Sequence, residues 1–221
     1  MVGLIRKDLN QLKYNWFKWY IISLGIFSLI LINYYLKTNS VIYITFISLL
    51  MINNIQSLFI KDTSNGWLKW IQSLGIKSTV VICARYATLL LVCNFSAIIS
   101  LLYMLIGIKW LYGMSMQNIY IICGSAFFIS IIYGLIVLPF LYAFEQNGLT
   151  IAVIAIFGVC FCLIKFTKIT VELSRFFKNF STSEIISIAV IIIIIFLLIS
   201  YFVSYNIYIY VNCNNKLNTF G

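Results

Sequence analysis

Long apolar blocks without charge constrain this chain more than any other feature. No Asp, Glu, Lys or Arg occurs in 86–108, 110–144, 146–164 or 185–215. About 20 apolar residues in a helix cross the roughly 30 Å hydrocarbon core of a bilayer. Each block is close to that length or exceeds it, so we predict an all-α polytopic membrane protein.

Two earlier apolar segments extend the prediction to six transmembrane helices in a single domain, 1–221. The predicted spans are about 19–36, 41–60, 79–107, 118–141, 148–165 and 185–208. An even number of spans places both termini on one side of the membrane. With that side inside, the inner segments hold more Lys and Arg than the outer ones, most of them early in the chain. This bias predicts cytoplasmic N- and C-termini.

The composition excludes several classes of function. The chain is 63% hydrophobic and 9% charged, with no His and five acidic residues. Metal binding, proton relay and general acid–base catalysis lack the side chains they need, so we predict no catalytic, cofactor or metal residues. The net charge of +10 flanks the apolar spans, where it fixes topology and contacts anionic lipid, and we predict no nucleic-acid partner.

The N-terminal segment has the pattern of an amphipathic helix. Apolar residues recur at helical spacing at Val2, Ile5, Leu9, Leu12, Trp16 and Trp19, while Arg6, Lys7, Asp8, Asn10 and Lys13 occupy the rest. Such a helix lies in the membrane interface. We therefore name Arg6, Lys7, Asp8 and Trp16 as interface-helix residues; the alternative is an extension of the first span.

The segment between the second and third spans predicts a short cytoplasmic helix over 62–76. Asp62, Thr63 and Ser64 are typical N-cap residues, and Gly75 is a typical stop. The apolar stripe consists of Trp67, Trp70, Ile71 and Leu74, with Lys69 facing away. Such a helix either rests on lipid headgroups or docks into a groove on a cytoplasmic protein. The residues by themselves leave both interpretations open.

A resemblance is carried by the same segment. Asp62, Gly66, Trp67, Trp70, Ile71, Ser73, Leu74, Gly75 and Ile76, followed by Ala84-Arg85-Tyr86, resemble the small ABC-2 type permeases of Gram-positive bacteria. The stretches 4–9 (LIRKDL) and 138–148 (LPFLYAFEQNG) are similar to the entry helix and fourth-span exit of that family. Gly75 stands where Pro is common, and Glu145 where Gly is common.

The resemblance implies a half-transporter in a bacterial plasma membrane. Such a permease pairs with a second permease, identical or homologous, and with two copies of a separate ATPase that binds ATP and Mg²⁺. The resemblance places the ATPase-coupling helix on Asp62, Gly66, Trp67, Lys69, Trp70, Ile71 and Leu74. The chain itself contains no G-x-x-x-x-G-K-[ST] phosphate loop, so we predict that it is not an enzyme and that ATP is hydrolysed on the partner.

The resemblance also suggests a substrate class. The chain resembles the permeases of the phenol-soluble modulin exporters of staphylococci, and this resemblance implies export of amphipathic or antimicrobial peptides. A lantibiotic or bacteriocin immunity pump, or a drug-resistance permease, is the close alternative. An alternative of another class is a stand-alone membrane protein that sequesters a peptide or scaffolds partners without an ATPase.

The segment 166–184 predicts an amphipathic helix on the outer side. Its apolar face includes Phe176, Phe177 and Phe180, and the family resemblance makes these residues a possible outer gate. The alternative is an ordinary surface helix.

Polar residues inside the spans require partners, because an unsatisfied amide in hydrocarbon is costly. We expect Asn94 and Ser96 either to bond the amides of Asn53, Asn54 and Gln56 or to line a wet cavity. Arg85 either extends to the inner headgroups or pairs with Glu145, and its position near a span end favours the headgroups. Pro139 predicts a kink or an end in the fourth span.

Overall fold

The computed structural model describes residues 1–13, 40–105, 115–144, 147–165 and 182–217. Regular structure in these ranges is helical, with no strand, which confirms the all-α prediction for this part of the chain. The helices are α1 (2–13), α2 (Ser40–Ser64), α3 (Trp67–Ser73), α4 (Ser78–Tyr103), α5 (Met116–Phe144), α6 (Gly148–Lys165) and α7 (Thr182–Leu217). The predicted first span, 19–36, lies outside the described residues.

Three of the described helices are long and apolar enough to cross a membrane. These stretches are Ser78–Leu102, Met116–Phe144 and Ser187–Val211, and they correspond to the predicted third, fourth and sixth spans. A shorter apolar helix, Gly148–Val159, lies within the predicted fifth span, and α2 contains the predicted second. The full six-span topology and the side on which the termini lie stay predictions.

The chain divides into two compact units, 1–134 and 135–221, with the boundary inside α5. The first unit has a core of fully buried aliphatic side chains that includes Leu58 on α2 and Ile82 and Leu89 on α4. Gly134 on α5 faces Leu89, and a Cβ atom added at Gly134 would lie 2.4 Å from a Leu89 methyl carbon. The absence of a side chain at Gly134 therefore permits close packing of α5 on α4.

One of the polar residues predicted to need a partner, Asn53, accepts a hydrogen bond from another helix. The Tyr133 hydroxyl on α5 donates to Asn53 Oδ1 on α2 at 2.7 Å. The expectation that Asn94 and Ser96 bind the α2 amides is wrong, because each donates to a carbonyl of its own helix, Leu90 and Cys93 respectively. A Ser or Asn side chain in a helix reaches the backbone carbonyls three or four residues earlier in that helix more readily than polar groups on another helix.

Tyr133→Phe removes only this hydroxyl, so it tests the contribution of the bond. We expect the substitution to lower the free energy of unfolding by about 1 kcal/mol, because Asn53 loses a donor in a partly buried site. The measurement is unfolding of the purified chain in detergent. Tyr120→Phe is the matched control, since Tyr120 lies on the same helix and is exposed. Equal stability of the two variants would contradict the prediction.

The junction between α2 and α3 differs from the predicted N-cap. Asp62, Thr63 and Ser64 form the last turn of α2, and Gly66, at φ 64°, turns the chain into α3. The hydroxyls of Thr63 and Ser64 donate backward, to the carbonyls of Phe59 and Lys61. These hydroxyls therefore bond within α2 and do not cap α3, and the short helix spans Trp67–Ser73 and not 62–76.

The predicted stop at Gly75 is confirmed by its geometry. Gly75 has φ 67°, in the left-handed region that suits glycine. The Ile76 amide donates to the Ile71 carbonyl at 3.4 Å, the six-residue bond of a Schellman motif. This motif ends α3 within two turns and redirects the chain into α4.

The second unit contains the end of α5 with α6 and α7. The Ser200 hydroxyl on α7 donates to the Leu135 carbonyl at 2.5 Å, and Tyr142 and Tyr208 meet edge to face with ring centroids 5.8 Å apart. Pro139 lies inside α5, which continues to Phe144, so the prediction that Pro139 ends this helix is wrong. The other outcome, a kink, stays a prediction.

Candidate functional site

Four charged side chains form a buried cluster in the first unit. Lys7 and Asp8 come from α1, Asp62 from the end of α2 and Arg85 from α4. Asp62 accepts from Lys7 Nζ at 2.5 Å through one oxygen and from Arg85 through the other. Arg85 Nη1 also lies 3.0 Å from Asp8 Oδ2, and Lys7 Nζ lies 3.4 Å from Asp8 Oδ1. We call these four residues the charge cluster.

The charge cluster is electrically neutral and largely excluded from solvent. The side chains of Asp8, Asp62 and Arg85 are between 3% and 7% exposed, and that of Lys7 is 18% exposed. Removing a charge from water costs several kcal/mol unless an opposite charge and hydrogen bonds compensate it. Each carboxylate here contacts two cations, so the charges balance only when all four members are present, although Arg85 Nη1 makes no hydrogen bond within the described residues.

Additional contacts surround the cluster. The Thr88 hydroxyl on α4, fully buried, lies 3.4 Å from Asp8 Oδ2. The Arg85 guanidinium lies over the Phe59 ring at 5.0 Å, a favourable cation–π arrangement. Burial raises the pKa of Asp8, while the Arg85 guanidinium and the Lys7 ammonium act in the opposite direction.

The structure corrects the prediction for Arg85. Its side chain does not extend to the headgroups, because it is buried and contacts Asp62 and Asp8. The alternative partner, Glu145, lies outside the described residues. One sequence signal pointed to the observed pairs: the first 134 residues contain only two acids, Asp8 and Asp62. A cation inside an apolar span favours a buried opposite charge.

The predicted amphipathic division of α1 is confirmed at Arg6, Asn10 and Lys13, which are exposed, and differs at Asp8 and Val2. Asp8 and Leu12 are buried, whereas Val2, from the predicted apolar stripe, is 80% exposed. Arg6 is exposed and Lys7 half-buried. The buried side of α1 therefore combines the apolar Leu12 with Asp8, which pairs with Arg85 of α4.

Helix α3 lies beside the charge cluster, and two large apolar side chains, Trp70 on the helix and Leu74 directly after it, are exposed. Lys7 Nζ lies 4.5 Å from the centroid of the Trp67 ring, and the rings of Trp67 and Trp70 are 4.6 Å apart. Ile71 is 1% exposed, whereas Trp70 and Leu74 are 52% and 54% exposed. With 100° between successive residues, Ile71 and Trp70 lie at opposite edges of the stripe. The protein buries one edge and leaves the other accessible.

The remaining predicted site residues lie in different elements or outside the described residues. Asp62 belongs to α2 and to the charge cluster, Gly66 forms the turn before α3, and the backbone of Lys69 lies within α3. Trp16 and the possible outer-gate residues Phe176, Phe177 and Phe180 lie outside the described residues. Of the predicted coupling residues, the structure brings Asp62 and Trp67 together through their shared neighbour Lys7.

The sequence model described as ABC-2 family transporter protein matches residues 3–209, almost the whole chain. The chain belongs to the ABC-2 transporter family. It is thus an ABC permease, the membrane component of a transporter and not its ATPase, and family membership implies association with an ABC ATPase. No curated protein and no solved structure shows a significant match.

Proposed function

We propose that this ABC-2 permease is the membrane subunit of an ATP-driven exporter, and that α3 receives the movement of the ATPase. The family match over residues 3–209 carries this proposal. The accessible Trp70, with Leu74 beside it, supports the proposal, because Trp is among the residues that most often dominate the binding energy at protein interfaces. The separation of Trp70 and Leu74 from the buried Ile71 leaves both anchors available to a partner.

The assembly that we propose contains two ATPase subunits and two permeases, the second identical or homologous to this chain. ATP and Mg²⁺ would bind the ATPase subunits, since this chain has no phosphate loop. Movement of α3 would reach α4 through the turn at Gly75 that joins the two helices. It would reach α1 through the contact of Lys7 with Trp67. We place the complex in the bacterial plasma membrane, with α3 on the cytoplasmic side.

For the substrate we propose amphipathic peptides, such as phenol-soluble modulins. This proposal rests on the sequence resemblance and on the lack of charged side chains in most of the spans, which suits apolar cargo better than ionic solutes. ATP-dependent uptake of a labelled amphipathic helical peptide into inverted vesicles is the direct measurement. Uptake of a lantibiotic alone, or of a drug alone, would instead support the immunity or drug-resistance function.

The docking role of α3 is tested with Trp70→Ala and Leu74→Ala. We expect each variant to weaken binding of the ATPase, Trp70→Ala by about 2 kcal/mol, or roughly 30-fold. The measurement begins with a tagged chain isolated in mild detergent from its native host, followed by mass spectrometry for a phosphate-loop ATPase. Trp67 is a poorer test, since its substitution also removes the contact with Lys7.

The matched control is Leu91→Ala, which truncates an exposed apolar side chain on α4 away from α3. It should retain the ATPase at the wild-type level. Recovery of the wild-type chain without any ATPase, also after gentle cross-linking, would contradict the exporter proposal and favour a stand-alone peptide-binding protein. Retention of the ATPase by Trp70→Ala and Leu74→Ala would contradict the role of α3 alone.

A further inference from the structure

The two acidic residues of the first unit are both used inside the charge cluster. Residues 1–134 contain only two carboxylates, Asp8 and Asp62, and both are buried against Lys7 and Arg85. No carboxylate side chain of this unit is therefore available at its surface. The exposed charged side chains among its described residues, which include Arg6, Lys13 and Lys77, are cations.

Helix α1 meets α3 at the contact of Lys7 with Trp67. Lys7 on α1 contacts the ring of Trp67, which in turn lies against Trp70. Arg6 adjoins Lys7 in sequence, and Lys77 follows the Gly75 turn that ends α3. The exposed apolar pair Trp70 and Leu74 thus belongs to a segment that α1 contacts through Lys7 and that Lys77 follows in sequence.

The outward side of α1 is polar along most of its length. After Val2 and Gly3 in the first turn, the exposed residues are Arg6, Asn10 and Lys13, and the large apolar residue Leu12 is buried. A helix that rests in a lipid interface needs an exposed apolar face. This distribution favours a hydrated protein partner over insertion of α1 into lipid.

We infer that α1 and α3 together form the docking surface for the ATPase, and that the complementary surface of the ATPase is an apolar groove bordered by carboxylates. Trp70 and Leu74 occupy the groove, and Arg6, Lys13 and Lys77 face its acidic border. This inference rests on the proposed function and adds the participation of α1 and the charge of the partner. By neutralising both acids internally, the charge cluster leaves no carboxylate to repel an acidic partner.

Charge reversal on α1 tests the inference. The full chain is reconstituted in nanodiscs of phosphatidylcholine, and binding of the phosphate-loop ATPase that co-purifies with it is measured at 50, 150 and 500 mM NaCl. We expect the double variant Arg6→Glu/Lys13→Glu to bind roughly tenfold more weakly at 50 mM NaCl. The difference from wild type should shrink at 500 mM, because salt screens exposed charges.

The control is the charge-conserving double variant Arg6→Lys/Lys13→Arg, which should bind as wild type. Size-exclusion profiles of all variants establish that they are folded. If wild type binds no ATPase at any salt concentration, the proposed function itself is wrong. If the ATPase binds and Trp70→Ala weakens it, while charge reversal and salt have no effect, the exporter proposal stands and this inference is overturned.

A second arm separates lipid from protein as the partner of α1. Binding is repeated in nanodiscs that contain 30% phosphatidylglycerol. An effect of charge reversal in phosphatidylcholine, where the lipid carries no net charge, supports direct contact with the ATPase. An effect confined to phosphatidylglycerol nanodiscs would overturn the inference and assign the α1 cations to anionic headgroups.

Discussion

Arg85→Met is expected to destabilise the folded permease by about 3–5 kcal/mol, the range observed when one partner of a buried ion pair is removed. The substitution leaves the buried carboxylates of Asp8 and Asp62 facing Lys7 alone, so the cluster gains an uncompensated negative charge. Methionine keeps much of the length of the arginine side chain, which limits the loss of packing. The measurement is the free energy of unfolding of the purified chain in detergent.

Arg6→Met is the matched control, because Arg6 is an exposed cation next to the cluster. It should change the free energy of unfolding by less than about 0.5 kcal/mol. The double variant Arg85→Met/Asp62→Asn restores neutrality, leaving the pair Lys7 and Asp8, and should cost less than the sum of the two single changes. If Arg85→Met and Arg6→Met were equally mild, Arg85 would be solvated and the buried cluster would be wrong.

Gly148→Ala is expected to cost about 1–3 kcal/mol of stability, the usual range for overpacking. A Cβ atom at Gly148 would lie 2.6 Å from the Phe140 carbonyl oxygen and 2.7 Å from the Leu141 Cα. Both are backbone atoms of α5, so no side-chain rotation relieves the overlap and α6 must move away from α5. Thermal unfolding in detergent measures the effect.

Gly158→Ala provides the comparison within the same helix. A Cβ atom at Gly158 meets nothing within 4 Å, and alanine is the better helix former, so the variant should be neutral or gain up to about 1 kcal/mol. Gly148→Ala must be the less stable of the two. The reverse order would show that the start of α6 is not packed closely on α5.

The positions of the spanning helices were predictable from the sequence because hydrocarbon imposes a local rule. A segment that crosses it must be long, apolar and helical, and uncharged blocks reveal such segments directly. The predicted spans 79–107 and 118–141 correspond to Ser78–Leu102 and Met116–Phe144. The stop at Gly75 was equally predictable, since a left-handed residue after an apolar helix is a local requirement.

The division between α2 and α3 was not predictable from local rules. Asp, Thr and Ser suit an N-cap, but Thr and Ser hydroxyls also bond backward to carbonyls at the end of a helix. The observed bonds of Thr63 and Ser64 follow the second pattern. Here the choice was made by Asp62, which enters the charge cluster from the last turn of α2.

The sequence by itself determined the class of protein, the sites of its apolar helices and, through the residues from Asp62 to Tyr86, its family resemblance. Tertiary structure alone decided which charges meet. Asp62 lies 55 positions from Lys7 and 23 from Arg85, and helical periodicity contains no information about contacts at such separations. Burial of an ion depends on the distance to its counter-ion, and that distance exists only after the helices have packed.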